Sequence, residues 1–316
     1  IDRDRKLIEN ADVESYYVQF LRKTIDLSCE YQSKLLNGMR VTYCGVEGAF
    51  AYMAAKRMFP EAELIPYSDF GDAYRAVERG EYDCVVLPLE NSAAGEVGTV
   101  MDLIFSGDLF VNQVVDLPIE HNLLGVGGAS LDGIKTVISH PQALAQSSVF
   151  LQQHGFATQS WINTADAAKH IAELNDPTVA AIASAETAEL YGLDILAEGV
   201  NADGDNTTRF IVIERAAQPP VMTGEGQRLS LLFTARHKPG QLAVVLDQIG
   251  ARGFNMECIK SRPLPHVPFE YYFYVQLVCP AGCDAAACNS LLETLTGACS
   301  TLRLLGAFTL DGIDQQ

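Results

Sequence analysis

A largely apolar stripe recurs at Val13, Tyr17, Phe20, Thr24, Leu27 and Tyr31, stepping by four and three residues in turn. That period predicts a single amphipathic helix from about Val13 to Leu36, ended by Asn37-Gly38. At 1.5 Å per residue such a helix is about 36 Å long. It has no core of its own and must pack on other helices, on the next domain or on a partner chain. From residue 39 the pattern changes to short apolar runs that alternate with helical periods. Val41-Thr42-Tyr43-Cys44 reads as a strand, followed by the turn Gly45-Val46-Glu47-Gly48 and a helix from Ala49 to about Met58. Cys84 to Leu89 is a second strand, after which Val97, Val100, Met101 and Ile104 trace a helix face. Thr136-Val137-Ile138, Ala180 to Ala183 and Phe210 to Ile213 are further strands, with a helix through Val149.

This alternation predicts an α/β fold with βαβ units, a mostly parallel sheet and two lobes around a cleft across 39–216. The stretch from Ala216 to Gly226, with Gln218-Pro219-Pro220 and Thr223-Gly224, reads as a linker. Beyond it the elements run strand (Leu229–Thr234), helix (Gln241–Arg252), two strands (Asn255–Ser261 and Tyr271–Val278), helix (Ala285–Leu295) and strand (Thr301–Phe308). That is a ferredoxin-like βαββαβ order. The three expected segments are therefore 1–38, 39–216 and 226–312. The chain opens in charged, helix-compatible sequence, which predicts that it is a piece of a longer protein.

Charge narrows the function. The 316 residues carry 40 acidic and 22 basic side chains, a net charge of −18. Between 41 and 224 there are 25 acidic and 8 basic residues. A broad basic face for nucleic acid cannot be built from that balance. No apolar run approaches the roughly 20 residues that span a bilayer. Any anionic ligand of the acidic segment must rely on few cations, and Lys169, Arg209 and Arg215 are the only ones between 136 and 224. Eight cysteines form no Cys-x-x-Cys pair. Cys279, Cys283 and Cys288 have no histidine after 266 to complete a metal site. They read as small buried residues of a reducing compartment with no metal expected, a metal or redox role being the lesser alternative.

Four polar clusters stand at strand ends. Glu90-Asn91-Ser92 follows a strand and is expected to open a helix, where free N–H groups would favour a carboxylate. A plain capped turn explains it equally well. Ser139-His140-Pro141-Gln142 ends another strand, with Gln146 one turn on. His140 is a candidate base, although a histidine before proline is more often a turn residue. Gly45 to Gly48 is too short and lacks the lysine of a phosphate loop. Asn206-Thr207-Thr208-Arg209-Phe210 enters a strand from a polar loop. Arg209 there reads either as a carboxylate clamp or as the partner of Asp203 or Asp205.

Together these motifs resemble the prephenate dehydratase family. The resemblance rests on Gly45-Val46-Glu47-Gly48, Leu89-Glu90-Asn91-Ser92 with Gly95 and Val97, Leu117 to Leu124, Ser139-His140-Pro141-Gln142 and Asn206 to Phe210, in the family's order. Residues 228–310 resemble the ACT domain that follows in this family, through Lys238-Pro239-Gly240-Gln241-Leu242 and Ser261-Arg262-Pro263. The first 38 residues resemble the last helices of an all-helical chorismate mutase. The resemblance implies a two-lobed domain like that of periplasmic binding proteins. It also implies decarboxylating dehydration of prephenate to phenylpyruvate, with no cofactor. Thr208 would donate to the leaving hydroxyl, with Arg209, Glu90, Asn91, Ser92, Ser139, Gln146, Thr164 and Asn206 around it. L-Phenylalanine would be the effector, bound near Gly240, Gln241, Leu242, Asn255 and Ser261 between subunits of a homo-oligomer, a dimer or tetramer, in the cytoplasm.

Arg3, Ser28 and Gln32 would be remnants of a mutase site, without mutase activity of their own here, although a full-length protein could carry both activities. Three positions depart from the family pattern. Ala49 and Ala51 replace hydroxyl residues, which opens arogenate as an alternative substrate, and Lys260 replaces the usual glutamate. A non-catalytic amino-acid-binding regulator and a set of packing modules are the alternatives from other classes. Thr208 beside Arg209 argues against the first, since a binder needs only the arginine.

Overall fold

The computed structural model describes residues 11–201, 206–217, 226–236, 238–264 and 267–311. The N-terminal stripe folds as one helix, α1 (Ala11–Asn37), and Phe20, Tyr31 and Leu36 on it are exposed. Much of its apolar stripe is thus exposed in the single chain.

The first lobe is built from β1 (Arg40–Cys44), α2 (Phe50–Met58), β2 (Glu63–Tyr67), α3 (Phe70–Glu78), β3 (Cys84–Asn91), β4 (Gly95–Glu96), α4 (Gly98–Ser106) and β5 (Phe110–Pro118). The chain then crosses to a second lobe. This contains β6 (Asn122–Gly125), β7 (Thr136–Ser139), α5 (Pro141–Gln146), α6 (Ser148–His154), β8 (Ala157–Ser160), α7 (Thr164–Leu174), β9 (Val179–Ala183), α8 (Ala185–Tyr191) and β10 (Asp194–Ala197). It returns as β11 (Thr207–Glu214), which inserts between β3 and β5. The two lobes are therefore joined by two crossings, each continuous with a strand of the first sheet.

The sheets are mixed rather than mostly parallel. β1 pairs with β2 and β3 in parallel, but β11 runs antiparallel to both of its neighbours. The returning strand enters the sheet from the cleft end, so its direction is opposite to that of β3. In the second lobe β7 is parallel to β8 and β9, whereas β6 is antiparallel to β9 and β10.

The C-terminal unit is β12 (Gln227–Ala235), α9 (Gln241–Ala251), β13 (Asn255–Pro263), β14 (Tyr271–Val278), α10 (Ala285–Ala298) and β15 (Cys299–Asp311), with sheet order β13-β14-β12-β15. Alternation along its strands feeds two cores. Leu229, Leu231, Phe233, Val275 and Leu277 face α9 and α10. Leu232, Tyr272, Tyr274, Leu305 and Phe308 face the first lobe, in one core with Met101 and Ile104 of α4. Phe105 stacks on Tyr272 with ring centroids 4.0 Å apart. Such a pair adds about 0.5–1.5 kcal/mol beyond area burial. Arg303 donates to the carbonyls of Ile104 and Gly107, satisfying the C-terminal end of α4. The end of β15 then pairs with β5, which makes the C-terminal sheet continuous with that of the first lobe. Gly306 permits this approach, because a Cβ there would lie 1.7 Å from the Val111 carbonyl oxygen.

Candidate active site

A cleft of about 390 Å³ lies between the lobes, where β11 begins. Its apolar lining includes Phe50, Phe70, Ile119 and Phe210, and its polar lining includes Asn91, His121, Gln146, Asn163, Thr164 and Thr208. An apolar enclosure with a few convergent polar groups suits a small ring-bearing ligand. Ala49 and Ala51 also line it. No lysine or arginine does so among the described residues.

The polar side chains form one network whose polarity can be traced from the backbone. Asn91 ends β3, and its Oδ1 accepts the N–H groups of Ala93 and Ala94 at 3.1 and 2.9 Å. That fixes the amide, so Nδ2 must donate. It donates to Asn206 Oδ1 at 2.7 Å and to Thr208 Oγ1 at 2.9 Å. Asn206 then presents its own Nδ2 to Gln146 Oε1 at 3.3 Å. The same Oε1 lies 3.0 Å from His121 Nε2, so Nε2 carries the proton. Three consequences follow. Thr208 accepts from Asn91, which leaves its O–H free to donate into the cleft. Gln146 Nε2 and His121 Nδ1, both buried, have no partner among the described residues. Donors and one acceptor are thereby set out for a ligand.

Asn91 does not open a helix as expected. It closes an Asx-type turn, and the helix begins seven residues later at Gly98. Arg209 is not on the cleft side. Consecutive strand residues point to opposite faces, so Thr208 and Phe210 line the cleft while Arg209 lies behind it. There it grips Asp116 with two hydrogen bonds of 2.7 Å, and lies 3.6 Å from Glu90. Asp203 and Asp205, the partners weighed from the sequence, lie outside the described residues. The Asp116 contact raises the Arg209 pKa, and the side chain stays charged. Glu90 shares this rear face and pairs with Lys260 of β13. The sheet thus separates the charged groups from the neutral donors.

Other expected residues are distributed as follows. Gln146 and Thr164 line the cleft, and Asn206 belongs to its network. Ser139 is fully buried and donates to the Ile182 carbonyl at 2.7 Å, tying β7 to β9 instead of facing the cleft. Ser92 Oγ accepts the Thr207 N–H at 2.9 Å and holds the start of β11. Leu242 lines a separate hollow of about 400 Å³ with Pro239, Tyr271 and Phe273. Gly240, in the left-handed region at φ +79°, and Gln241 begin α9 beside it. Ser261 pairs across the ladder with Phe273, while Asn255 lies at the far end of β13. Arg3 lies outside the described residues. Gln32 donates to Ser28 at 3.1 Å on the exposed face of α1.

Sequence reasoning assigned no role to His121, although it stood in a quoted motif. Its signal was a polar residue inside the apolar run from Leu117 to Leu124.

Residues 41–218 match the family model described as prephenate dehydratase. The chain belongs to the prephenate dehydratase family. Its relatives include arogenate dehydratase/prephenate dehydratase 2, chloroplastic, of Arabidopsis thaliana, 35% identical over 284 residues, covering 86% of this chain and 73% of the relative. Among solved structures, a prephenate dehydratase from Arthrobacter aurescens in complex with L-Phe superposes with a TM-score of 0.77 at 28% identity, covering 86% of this chain and 90% of that one. A protein described as a novel type of quorum quenching acylase superposes with a TM-score of 0.78 at 28% identity, covering 87% of this chain and all of that one.

The interlobe cleft contains two histidines whose pKa values are lowered by burial, His121 and His140. The unfolded chain binds their protons from about pH 6.5 downwards, whereas the folded chain resists them. Their contribution to stability is therefore full above pH 6.5 and lost as pH falls through the folded values. Urea midpoints measured from pH 7.5 to 5.5 should decline, and His121→Asn should flatten that decline.

Proposed function

We propose that this hydro-lyase converts prephenate to phenylpyruvate, carbon dioxide and water in the interlobe cleft. The observation that carries the proposal is the Asn91-oriented Thr208 hydroxyl, free to donate over an apolar floor. Loss of the ring carboxylate as CO2 leaves its electron pair in the ring. The ring C–O bond breaks, and the departing oxygen takes up a proton from solvent to leave as water. A threonine hydroxyl is too weak an acid to supply that proton alone. Thr208 instead donates a hydrogen bond where negative charge develops on the leaving oxygen. Gln146 Nε2 and Thr164 are offered to the carboxylates. In place of a cationic clamp the cleft offers neutral donors, which suits a ring carboxylate that must shed its charge.

The test is direct. The chain is mixed with prephenate or with arogenate, and phenylpyruvate or phenylalanine is measured. Turnover of prephenate supports the proposal, and turnover of arogenate alone replaces it with the arogenate reading favoured by Ala49 and Ala51. The acylase description of one structural neighbour invites comparison, but acyl transfer needs a base on its nucleophile. The recorded partner of Thr208 Oγ1 is an amide donor.

The C-terminal unit is proposed to be an ACT-type regulatory domain that takes phenylalanine, as the L-Phe complex of the Arthrobacter protein supports. Its route to the site is the rear of the sheet. Lys260 contacts Glu90, the neighbour of Asn91, and Glu90 lies beside Arg209, the neighbour of Thr208. Arg262 adds contacts to Glu96 and Asp102 at 2.9 and 2.8 Å. Couplings between sites usually amount to about 1–3 kcal/mol, and the partly exposed Lys260–Glu90 pair is taken to supply about 1 of these. Lys260→Met should therefore reduce the ratio of activities without and with phenylalanine by up to about five-fold, read from inhibition curves. An unchanged ratio would remove Lys260 from the route. The first segment is proposed to serve packing between chains, and the cytoplasm or a plastid like that of the plant relatives is the proposed setting.

A further inference from the structure

A cluster of three cysteine side chains lies in the core of the C-terminal unit, apart from the cleft. Cys279 directly follows β14. Cys283 stands after the turn at Gly282, whose φ is +74°, and its N–H donates to the Pro280 carbonyl at 3.0 Å. Cys288 lies in the first turns of α10, whose N-cap Asp284 accepts the Ala287 N–H at 2.8 Å. The tight turn between β14 and α10 folds these residues onto one another, and the three Sγ atoms lie within 4.8 Å of each other. Cys283 and Cys288 Sγ are 3.6 Å apart. Cys279 and Cys288 are buried, whereas Cys283 is half-buried and opens the cluster to solvent.

We propose that Cys279, Cys283 and Cys288 form a three-thiolate site for a thiophilic cation of the zinc class, with the fourth position open to solvent beside Cys283. Zinc–sulfur bonds of about 2.3 Å in tetrahedral geometry space the sulfurs by roughly 3.8 Å. The Cys283–Cys288 pair already has that spacing, and side-chain rotation by about 1 Å brings in Cys279. Each thiol releases its proton to solvent as its metal–sulfur bond forms, and no electron is transferred. The site then carries one net negative charge, and Cys288 lies in the first turns of the 14-residue α10, where the helix dipole favours an anion. The bound ion would staple the end of β14 to the start of α10. The spacings of three and four intervening residues hide this in the sequence, because the turn and not the spacing makes the sulfurs converge. The proposal is independent of the dehydratase reading.

The experiment uses the full chain, reduced and desalted without oxygen, titrated with Co2+ and then Zn2+. A sulfur-to-cobalt charge-transfer band should saturate at one ion per chain and vanish on addition of zinc. Cys283→Ser should weaken binding by more than the roughly 10–100-fold that loss of an outer-shell partner costs. Cys29→Ser, on the exposed face of α1, should leave the band intact. No band in the wild type, or a band that survives Cys283→Ser, overturns the proposal. Should Cys283→Ser fail to fold, alkylation of the wild-type chain decides. Zinc should protect the three cysteines of the cluster, identified by peptide mass, and protection of none of them overturns the site.

Discussion

Thr208→Val is expected to lower kcat by about 10²–10³-fold, equivalent to roughly 2.7–4 kcal/mol of transition-state stabilisation, with a much smaller change in KM. Valine keeps the shape of the side chain and its fit to β11, so the substitution removes a donor and little else. The loss falls on kcat because the hydroxyl donates most strongly when charge has grown on the leaving oxygen. Asn91 Nδ2 loses one acceptor but retains Asn206 Oδ1, so the stability cost should be about 1 kcal/mol. Thr208→Ser restores the O–H and should restore most of the rate. Steady-state kinetics with prephenate, together with urea denaturation, separate the two effects. A valine variant with near-wild-type kcat would remove Thr208 from the proposed mechanism.

The sequence was most legible where the pattern was local. The stripe of α1, the apolar runs of β1, β3 and β11, and the βαββαβ order of the C-terminal unit each follow from a period or a run that one element expresses by itself. Sheet direction was less legible, since β11 reaches its place only after a whole lobe has intervened. Nothing in Phe210-Ile211-Val212-Ile213 records that it will lie antiparallel between β3 and β5. The site divides in the same way. Thr208, Asn91, Gln146, Thr164 and Asn206 were named from motifs, and the structure brings all five to one network or one cleft. Arg209, adjacent to Thr208, was read as a carboxylate clamp because cations are few in so acidic a segment. In a strand that adjacency has the opposite meaning, and it sends the guanidinium to Asp116 on the other face. Ser139 was placed in the pocket at a strand end, yet the carbonyl of Ile182 takes its hydroxyl. His121 was given no role, and the three cysteines were read as small buried residues, because only tertiary convergence gives them partners.

The hydrogen-bond directions inside the cleft lead to a sharper test than removal of a group. Asn91→Asp changes one NH2 into an oxygen and leaves shape and volume almost unaltered. The new carboxylate can still accept from the N–H groups of Ala93 and Ala94, so the turn should hold. It can no longer donate to Thr208 Oγ1. The threonine proton would instead turn toward the carboxylate, and the donor aimed at the leaving oxygen would be lost. The reversal propagates, because Asn206 must flip to donate Nδ2 to the carboxylate. Gln146 must then donate to the Oδ1 that Asn206 turns toward it, and its Nε2 is no longer available to the substrate. His121 Nε2 would become an acceptor and its proton would move to Nδ1. An added negative charge opposite a dianionic substrate acts in the same direction. Asn91→Asp should therefore lose at least as much kcat as Thr208→Val, about 10²–10³-fold or more, while raising KM as well. The double variant Asn91→Asp/Thr208→Val should be little worse than Asn91→Asp alone, since both remove the same donor. Full additivity of the two losses would show that Asn91 does not act through the Thr208 hydroxyl, and the polarity traced from the backbone of Ala93 and Ala94 would have to be abandoned.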